Sequence, residues 1–460
     1  MSFCRGWGMR EVLVKNEEFK DSPLGRIPKD WQVDKLVSRA SVFGGKRLPL
    51  GHSYSDNPTK FRYLRVVDFF ERDIDFEALE FLKPSTFKAI ERYEIHKGNL
   101  FISIAGSLGY VGVFGTKYQE QRTILTENAA RIVLHDDSLP EFVAYQMNNS
   151  VVQKQIEAEK GTGGGVPKLA LFRIENLLLT FPPREEQEKI VAILQTLDEA
   201  IACTSSLIIK LKQTKAGLLQ DLLTRGLDEN GKLRDPQAHP EQFKDLALGR
   251  IPQKWTVKEF GEYIAHLDSG WSPICEAEPV ANGEWGVLKT TAVVWSGYNP
   301  SESKKLPSNL EPRYSSVVET DDILITRKGP RERVGVVVHI PSTPANLMMP
   351  DTVFRVRLKE SSPLLPAFIP LTLGSVSVQQ DWNRKKVGLA EAQVDINYGI
   401  VRETIIYIPP KSEQKYIIQI LNTYDTRIRT EETYLNKLKL QKQGLMQDLL
   451  TGKVRVNTIK

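Results

Sequence analysis

Two stretches of the chain carry apolar residues at spacings that alternate between four and three. The first runs Ile190, Leu194, Leu197, Ile201, Thr204, Ile208, Leu211, Lys215, Leu218 and Leu222. The second runs Ile417, Leu421, Tyr424, Ile428, Glu431, Leu435, Leu438, Lys442, Leu445 and Leu449. That spacing keeps a stripe on one face of an α-helix, so each stretch predicts a long helix with an apolar seam. A helix of about 40 residues is about 60 Å long. A seam of that length needs a partner helix, and the obvious partner is the other copy. Polar residues interrupt both seams at matching places, Thr204 with Glu431 and Lys215 with Lys442. Pro182-Pro183 and Pro409-Pro410 precede the helices. Glu185, Glu186 and Glu413 fill the first turns, where negative charge complements the helix dipole.

Outside the helices the apolar runs are short, β-branched and bounded by turns, as in strands. Tyr63–Val67 corresponds to Val287–Thr291, Leu100–Ser103 to Ile323–Thr326, and Ala130–Leu134 to Phe354–Leu358. A helical stretch, Glu141–Ala158, lies between strands. Two glycine pairs also recur, Gly106 with Gly329 and Gly112 with Gly335, and bracket a loop whose content differs between the halves.

These correspondences belong to a duplication. Leu24-Gly25-Arg26-Ile27-Pro28 and Trp31 return as Leu248-Gly249-Arg250-Ile251-Pro252 and Trp255. Pro182-Pro183…Glu186-Gln187 returns as Pro409-Pro410…Glu413-Gln414, and Leu219–Thr224 returns as Met446–Thr451. The fold class expected is therefore α+β: two similar β-rich α/β domains joined by two long helices that form an antiparallel coiled coil with pseudo-two-fold symmetry. The expected segments are an N-terminal extension (1–17), a first domain (18–180), a central helical region and linker (181–241), a second domain (242–407) and a C-terminal helical region (408–460). In an antiparallel pair the residue numbers in each layer add to a constant. Placing Lys215 against Glu431 and Lys442 against Thr204 gives 646 in both cases, so that register is expected. The seam residues proposed to pair the helices and dock partners are Ile190, Leu194, Leu197, Ile201, Leu211, Lys215, Leu218, Ile417, Leu421, Ile428, Glu431, Leu438, Lys442 and Leu445.

Composition narrows the class further. The chain is 41% hydrophobic and 26% charged, ordinary values for a globular protein with real cores. The longest apolar runs, such as Ile369–Leu373, are too short to cross a bilayer, and the N-terminus has no apolar signal core, so no membrane partner and a cytoplasmic location are expected. Cys4, Cys203 and Cys275 are unrelated by the duplication and form no metal-binding spacing. No catalytic constellation repeats. Gly44-Gly45-Lys46-Arg47 lacks the remainder of a phosphate loop, and Gly161–Gly165 reads as a flexible connection. Phe181 and Ile408 stand where an adenine methyltransferase motif requires Asn or Asp before its prolines. No catalytic residue, metal site or cofactor is therefore assigned to the chain.

The net charge of +5 permits a polyanionic partner. Basic residues interleaved with aromatic ones, and amides able to read adenine, give the DNA-binding candidates. In the first half these are Lys46, Arg47, Arg62, Arg65, Gln121, Arg122 and Asn128. In the second they are Lys289, Arg327, Lys328, Arg331, Arg333 and Lys385. The cluster Arg327–Arg333, beside the glycine-bracketed loop, is the strongest.

Two variable β-rich regions, each closed by a helix that begins Pro-Pro-x-x-Glu-Gln and ends with Gln-Asp-Leu-Leu-Thr, resemble the specificity subunit of Type I restriction–modification enzymes. The entry Phe19–Gly25 with Ile27-Pro28 and Trp31 resembles the start of a target recognition domain, and Arg225–Gly231 resembles the family's central junction. The resemblance implies a subunit that is not itself catalytic, each domain reading half of a bipartite, asymmetric site on double-stranded DNA. The helices would set the spacer and dock two methyltransferase subunits. S-adenosylmethionine would reside on those subunits, and ATP and magnesium on restriction/translocase subunits. The rival readings are a two-headed protein or carbohydrate adaptor on the same scaffold, and a self-sufficient methyltransferase or nuclease. Steep salt dependence of DNA binding separates the first reading from the adaptor.

Overall fold

The computed structural model describes residues 13–14, 19–70, 73–115, 121–159, 167–246, 249–275, 278, 280–390 and 393–456. Most of the expected extension 1–17 and the glycine run 161–165 lie outside the described residues. The chain divides into two compact units. The first comprises residues 1–205 and 433–460, the second residues 206–432. Each unit therefore takes the first part of one long helix and the last part of the other, rather than following the sequential segments expected.

Both long helices are present, Arg184–Thr224 and Lys411–Leu449. The seam positions are buried or half-buried along their length. In the first unit, Leu197 and Ile201 pack against Leu438, Leu435 and Leu445. Nearer the helix start, Ile190 and Leu194 pack with Leu449, Leu450 and Trp31. In the second unit, Ile417 and Leu421 share a core with Leu222, Leu223 and the partly buried Leu218. The helical segments run antiparallel within each unit, since Lys212 meets Glu432 while Lys215 meets Asp425. By length and composition alone Arg184–Thr224 is long and apolar enough to cross a membrane, although its apolar residues are spaced along a helix face rather than in one run. Its seam residues Ile190, Leu194, Leu197, Ile201, Ile208 and Leu222 are buried, while Ile209 is exposed.

The polar layers differ from the expected register. Lys215 Nζ lies 2.5 Å from Asp425 rather than against Glu431. Lys442 pairs with Asp198, not Thr204. Both pairs add to 640 instead of 646, so the two copies agree with each other and not with the expectation. The physical reason is reach. Each lysine extends its stem along the groove to a flanking carboxylate, and Glu431 is already held by Arg427 one turn earlier, at 2.7 Å.

The β-regions share one topology. In the first unit an antiparallel sheet orders Val111–Val113, Leu100–Ser103, Ala129–Leu134 and Ala40–Gly44. In the second the same order is Val337–His339, Ile323–Thr326, Val353–Leu358 and Ile264–Ser269. A smaller mixed sheet in each contains one parallel pair, Phe61–Leu64 with Arg122–Leu125 and Gly286–Leu288 with Leu347–Met348. Two predicted strands are shorter than read, because Val66–Asp68 and Thr290–Ala292 turn into 3-10 helix.

One repeated joint closes each unit. The Gly-Arg-Ile-Pro motif forms the return strand of a hairpin, and Trp31 and Trp255 follow it, each N–H donating to the proline carbonyl three residues back. Trp31 Nε1 donates to buried Glu186 at 3.0 Å, and Trp255 Nε1 to buried Glu413 at 3.1 Å. A guanidinium completes each site: Arg455 donates to Glu186 at 2.6 and 2.7 Å, Arg234 to Glu413 at 2.7 and 3.2 Å. The neighbouring glutamines clamp the strand-to-helix elbow. Gln187 takes Leu139 N–H and donates to the Pro182 carbonyl, as Gln414 takes Leu365 N–H and donates to that of Pro409. The Pro-Pro-x-x-Glu-Gln signature is thus a structural joint. Each arginine follows a helix-ending glycine of positive φ, Gly226 (+60°) or Gly452 (+69°), where a Cβ would strike the joint itself. Leu13–Val14 pairs antiparallel with Arg455–Val456.

Removing one partner of such a buried pair strands the other charge. Arg234→Met should therefore cost about 3–5 kcal/mol in urea unfolding. Asp30 shows the pH signature at the other joint. Burial pushes its carboxyl up, but the Arg455 guanidinium outweighs this and holds it below the usual range. A lowered carboxyl stabilises the fold above its unfolded value. The Tm deficit of Asp30→Asn should therefore be full at pH 7 and shrink as pH falls below about 4.

Candidate nucleic-acid interface

In the first unit the strand Ala40–Gly44 leaves the sheet at Gly45, whose N–H donates to the Ala129 carbonyl at 3.0 Å. A Cβ there would lie 2.0 Å from the Thr126 carbonyl oxygen, so only glycine lets the outgoing chain run against the turn before Ala129. Ile104 N–H donates to the Asn128 carbonyl at 2.8 Å and brings the loop after Leu100–Ser103 to the same edge. The Tyr63 hydroxyl braces it by donating to the Lys46 carbonyl at 2.7 Å. Burial holds that phenol above its ordinary pKa, so it remains a donor. Lys46, Arg47 and Asn128 thus converge on one exposed edge. Arg47 is 74% exposed, with Glu127 at 3.5 Å as a loose partner.

The second unit builds the same edge. A Cβ on Gly270 would lie 1.8 Å from the Met349 carbonyl oxygen. Arg327 N–H donates to the Thr352 carbonyl at 2.9 Å, and the Thr352 and Thr290 hydroxyls bond at 2.7 Å. The Arg327 side chain lies over Phe354 and pairs with Asp395 at 3.1 Å, with its Nε and Asp395 Oδ1 buried and lacking hydrogen-bond partners. Lys328 lies on a short strand paired with Gln393–Asp395. Arg331 donates to the Asn383 carbonyl at 3.1 Å, and Lys386 Nζ donates to the Arg331 carbonyl at 2.9 Å. Burial, and then the Arg331 charge, push the Lys386 ammonium pKa down. Arg333 is exposed. Lys385 pairs with Asp381 at 2.7 Å, and Lys289 lies 3.6 Å from Glu302.

The loop register also needs correction. Gln153 Nε2 bonds the Gly109 carbonyl as Gln379 Nε2 bonds that of Gly335, so Gly335 corresponds to Gly109 rather than Gly112. Ser103 and Thr326 each accept from the backbone N–H that closes the loop, that of Tyr110 and that of Val336. The second loop is therefore three residues longer and carries the Arg331–Arg333 segment.

Four candidates of the first half are engaged within the fold. Arg62 is buried, donates to Gln121 at 2.5 Å and to the Leu79 carbonyl at 2.8 Å, and stacks 3.7 Å from the Phe81 ring centroid. Gln121 is thereby its acceptor. Arg65 is forked onto Asp68 and reaches Glu80 at 2.6 Å. Arg122 holds Glu91 and Glu94 and lies over Phe87. The basic–aromatic interleaving of this region is in part cation–π packing, Arg62 on Phe81 and Arg122 on Phe87. What sequence reading missed is the polar set Thr290, Thr352 and Ser272–Asp351. Its signal was the glycine at the strand exit, Gly45 and Gly270. Among the described residues, no group of three or more His, Cys, Asp or Glu side chains is placed to hold a metal ion.

Comparison with known proteins adds the family. A family model described as "Type I restriction modification DNA specificity domain" matches residues 28–213 and 315–440. The EcoEI specificity subunit of Escherichia coli, a Type I restriction enzyme subunit, is 34% identical over 48% of this chain, a match that covers 36% of that relative. The MjaVIII specificity subunit of Methanocaldococcus jannaschii is 24% identical over 97% of this chain and 98% of its own length. Among solved structures, the S subunit of a Type I restriction–modification system from M. genitalium shares the fold, with a TM-score of 0.55 at 16% identity over 91% of this chain and 96% of that one.

Arg47→Ala should weaken binding to duplex DNA without moving Tm, and should reduce the slope of log K against log salt by about 0.9. Arg62→Ala should instead lower Tm, because it empties a buried stack.

Proposed function

The chain belongs to the Type I restriction–modification DNA specificity family, and from that membership we propose that its two units each read one half of a bipartite, asymmetric DNA site. It is a sequence-specific DNA-binding specificity subunit. Family membership displaces the two-headed adaptor reading. The observation that carries the bipartite reading is the repeated edge. Gly45 and Gly270 hold the same three backbone segments together in both units, while the side chains displayed there differ. A common frame with unlike side chains reads two unlike sequences. Lys46, Arg47 and Asn128 serve one half-site; Lys328, Arg331 and Arg333 serve the other, with Lys289 and Lys385 as phosphate contacts, while Arg327, held by Phe354 and Asp395, braces the edge. The chemistry of modification belongs to two methyltransferase subunits that dock on the helical region, bind S-adenosylmethionine and methylate an adenine in each half-site. Cleavage adds ATP- and magnesium-dependent restriction subunits. The setting is the cytoplasm.

Methylome sequencing of a host with and without this gene tests the reading, since loss of one bipartite motif with a fixed spacer is expected. A residue deleted from or inserted into the helix around Gln213–Gly217 should change the spacer length and leave both half-site sequences unchanged. A changed half-site with an unchanged spacer would contradict the role given to the helices.

A further inference from the structure

Just beyond Gly45 and Gly270 each unit presents the same peculiarity. The loop in the first unit is anchored on both sides. Leu48 and Tyr54 pack into a small core, His52 Nδ1 bonds Thr86 at 3.0 Å, and Lys83 donates to Ser53 at 3.0 Å. Between the anchors, His52 N–H donates to the Pro49 carbonyl at 3.0 Å across a tight turn with Gly51 at φ +78°. Leu50, at the tip of that turn, is fully exposed, with a relative exposure of 104%. In the second unit Trp271 and Cys275 are the anchors, packed on Val287, Leu306 and Met348, and Ser272 is tied to Asp351. Ile274 projects between them, 94% exposed. In both loops the exposed aliphatic residue directly follows a proline, Pro49-Leu50 and Pro273-Ile274.

A branched aliphatic side chain held fully in water on a braced, proline-stiffened tip gains nothing for the fold. Finding it at corresponding places in two otherwise divergent loops points to use. The tip in the first unit stands beside Lys46 and Arg47, which favour a polyanion over an apolar protein surface. We propose that Leu50 and Ile274 are paired apolar readers, one in each unit, that enter a groove of the DNA and pack on the bases of its half-site. A tip already fixed in shape loses little entropy on insertion, and burial of the side chain against bases supplies specificity that phosphate contacts cannot. The inference rests on the DNA-recognition reading above and adds the residues that make apolar base contact.

The test uses the full-length chain. Its target is first selected from a random-sequence duplex library, and wild type, Leu50→Ser and Ile274→Ser are then titrated on the selected duplex and on versions with either half-site scrambled. Each serine variant should bind the selected duplex about tenfold more weakly, with unchanged Tm, salt slope and affinity for a fully scrambled duplex. Leu50→Ser should be indifferent to scrambling of one half-site, and Ile274→Ser to scrambling of the other. Leu50→Met should restore most of the loss. Serine variants that bind and discriminate like wild type would overturn this proposal alone, as would variants that keep full DNA specificity but no longer copurify with methyltransferase subunits. Failure of the wild-type chain to select any duplex, alone or with those subunits, would sink the DNA reading itself.

Discussion

Each unit hangs on a carboxylate buried in the first turn of a long helix. Glu186 and Glu413 each accept from an indole and a guanidinium brought in from distant parts of the sequence. The tryptophan comes from the hairpin that opens the unit's own β-region. The arginine comes from just beyond the end of the other long helix. A buried glutamate without those donors would be costly, so hairpin, helix start and helix end are specified together. This is why the first compact unit is assembled from two separate segments, and why each long helix is divided between two cores.

Much of this was legible as pattern. Along the heptad seam Ile190, Leu194, Leu197, Ile201, Ile208 and Leu222 are buried and Leu211 and Leu218 half-buried, because an apolar stripe on a helix has only one sensible use. The strands around Leu100, Ile132, Ile323 and Val356 were legible for the same reason, as runs buried at the centre of a sheet. The joint was visible only as repeated letters. Gly231-Lys232-Leu233-Arg234 echoes Gly452-Lys453-Val454-Arg455, yet nothing in a linear reading says that either arginine returns to a glutamate at the start of the opposite helix. Ion-pair registers failed for a related reason. Lys215 and Lys442 have stems long enough to choose among several carboxylates, and the choice depends on which of these are already held.

The candidate interface was half legible. Lys46, Arg47 and Asn128 do converge, but Arg62, Arg65 and Arg122 are spent on carboxylates and aromatic rings inside the fold. Composition cannot tell an arginine stacked on a phenylalanine of its own sheet from one awaiting a base, since both sit among aromatics. The difference lies in strand alternation and in which acidic neighbours the topology delivers.

The edge itself is fastened by main chain. Gly45 N–H meets a carbonyl across the sheet, the Ile104 and Arg327 N–H groups meet the carbonyls of Asn128 and Thr352, and no side chain is required for these bonds. Side chains displayed on such a frame are nearly neutral for folding. Selection can then replace them freely, and a lineage can acquire a new target sequence in a few steps without passing through an unstable intermediate.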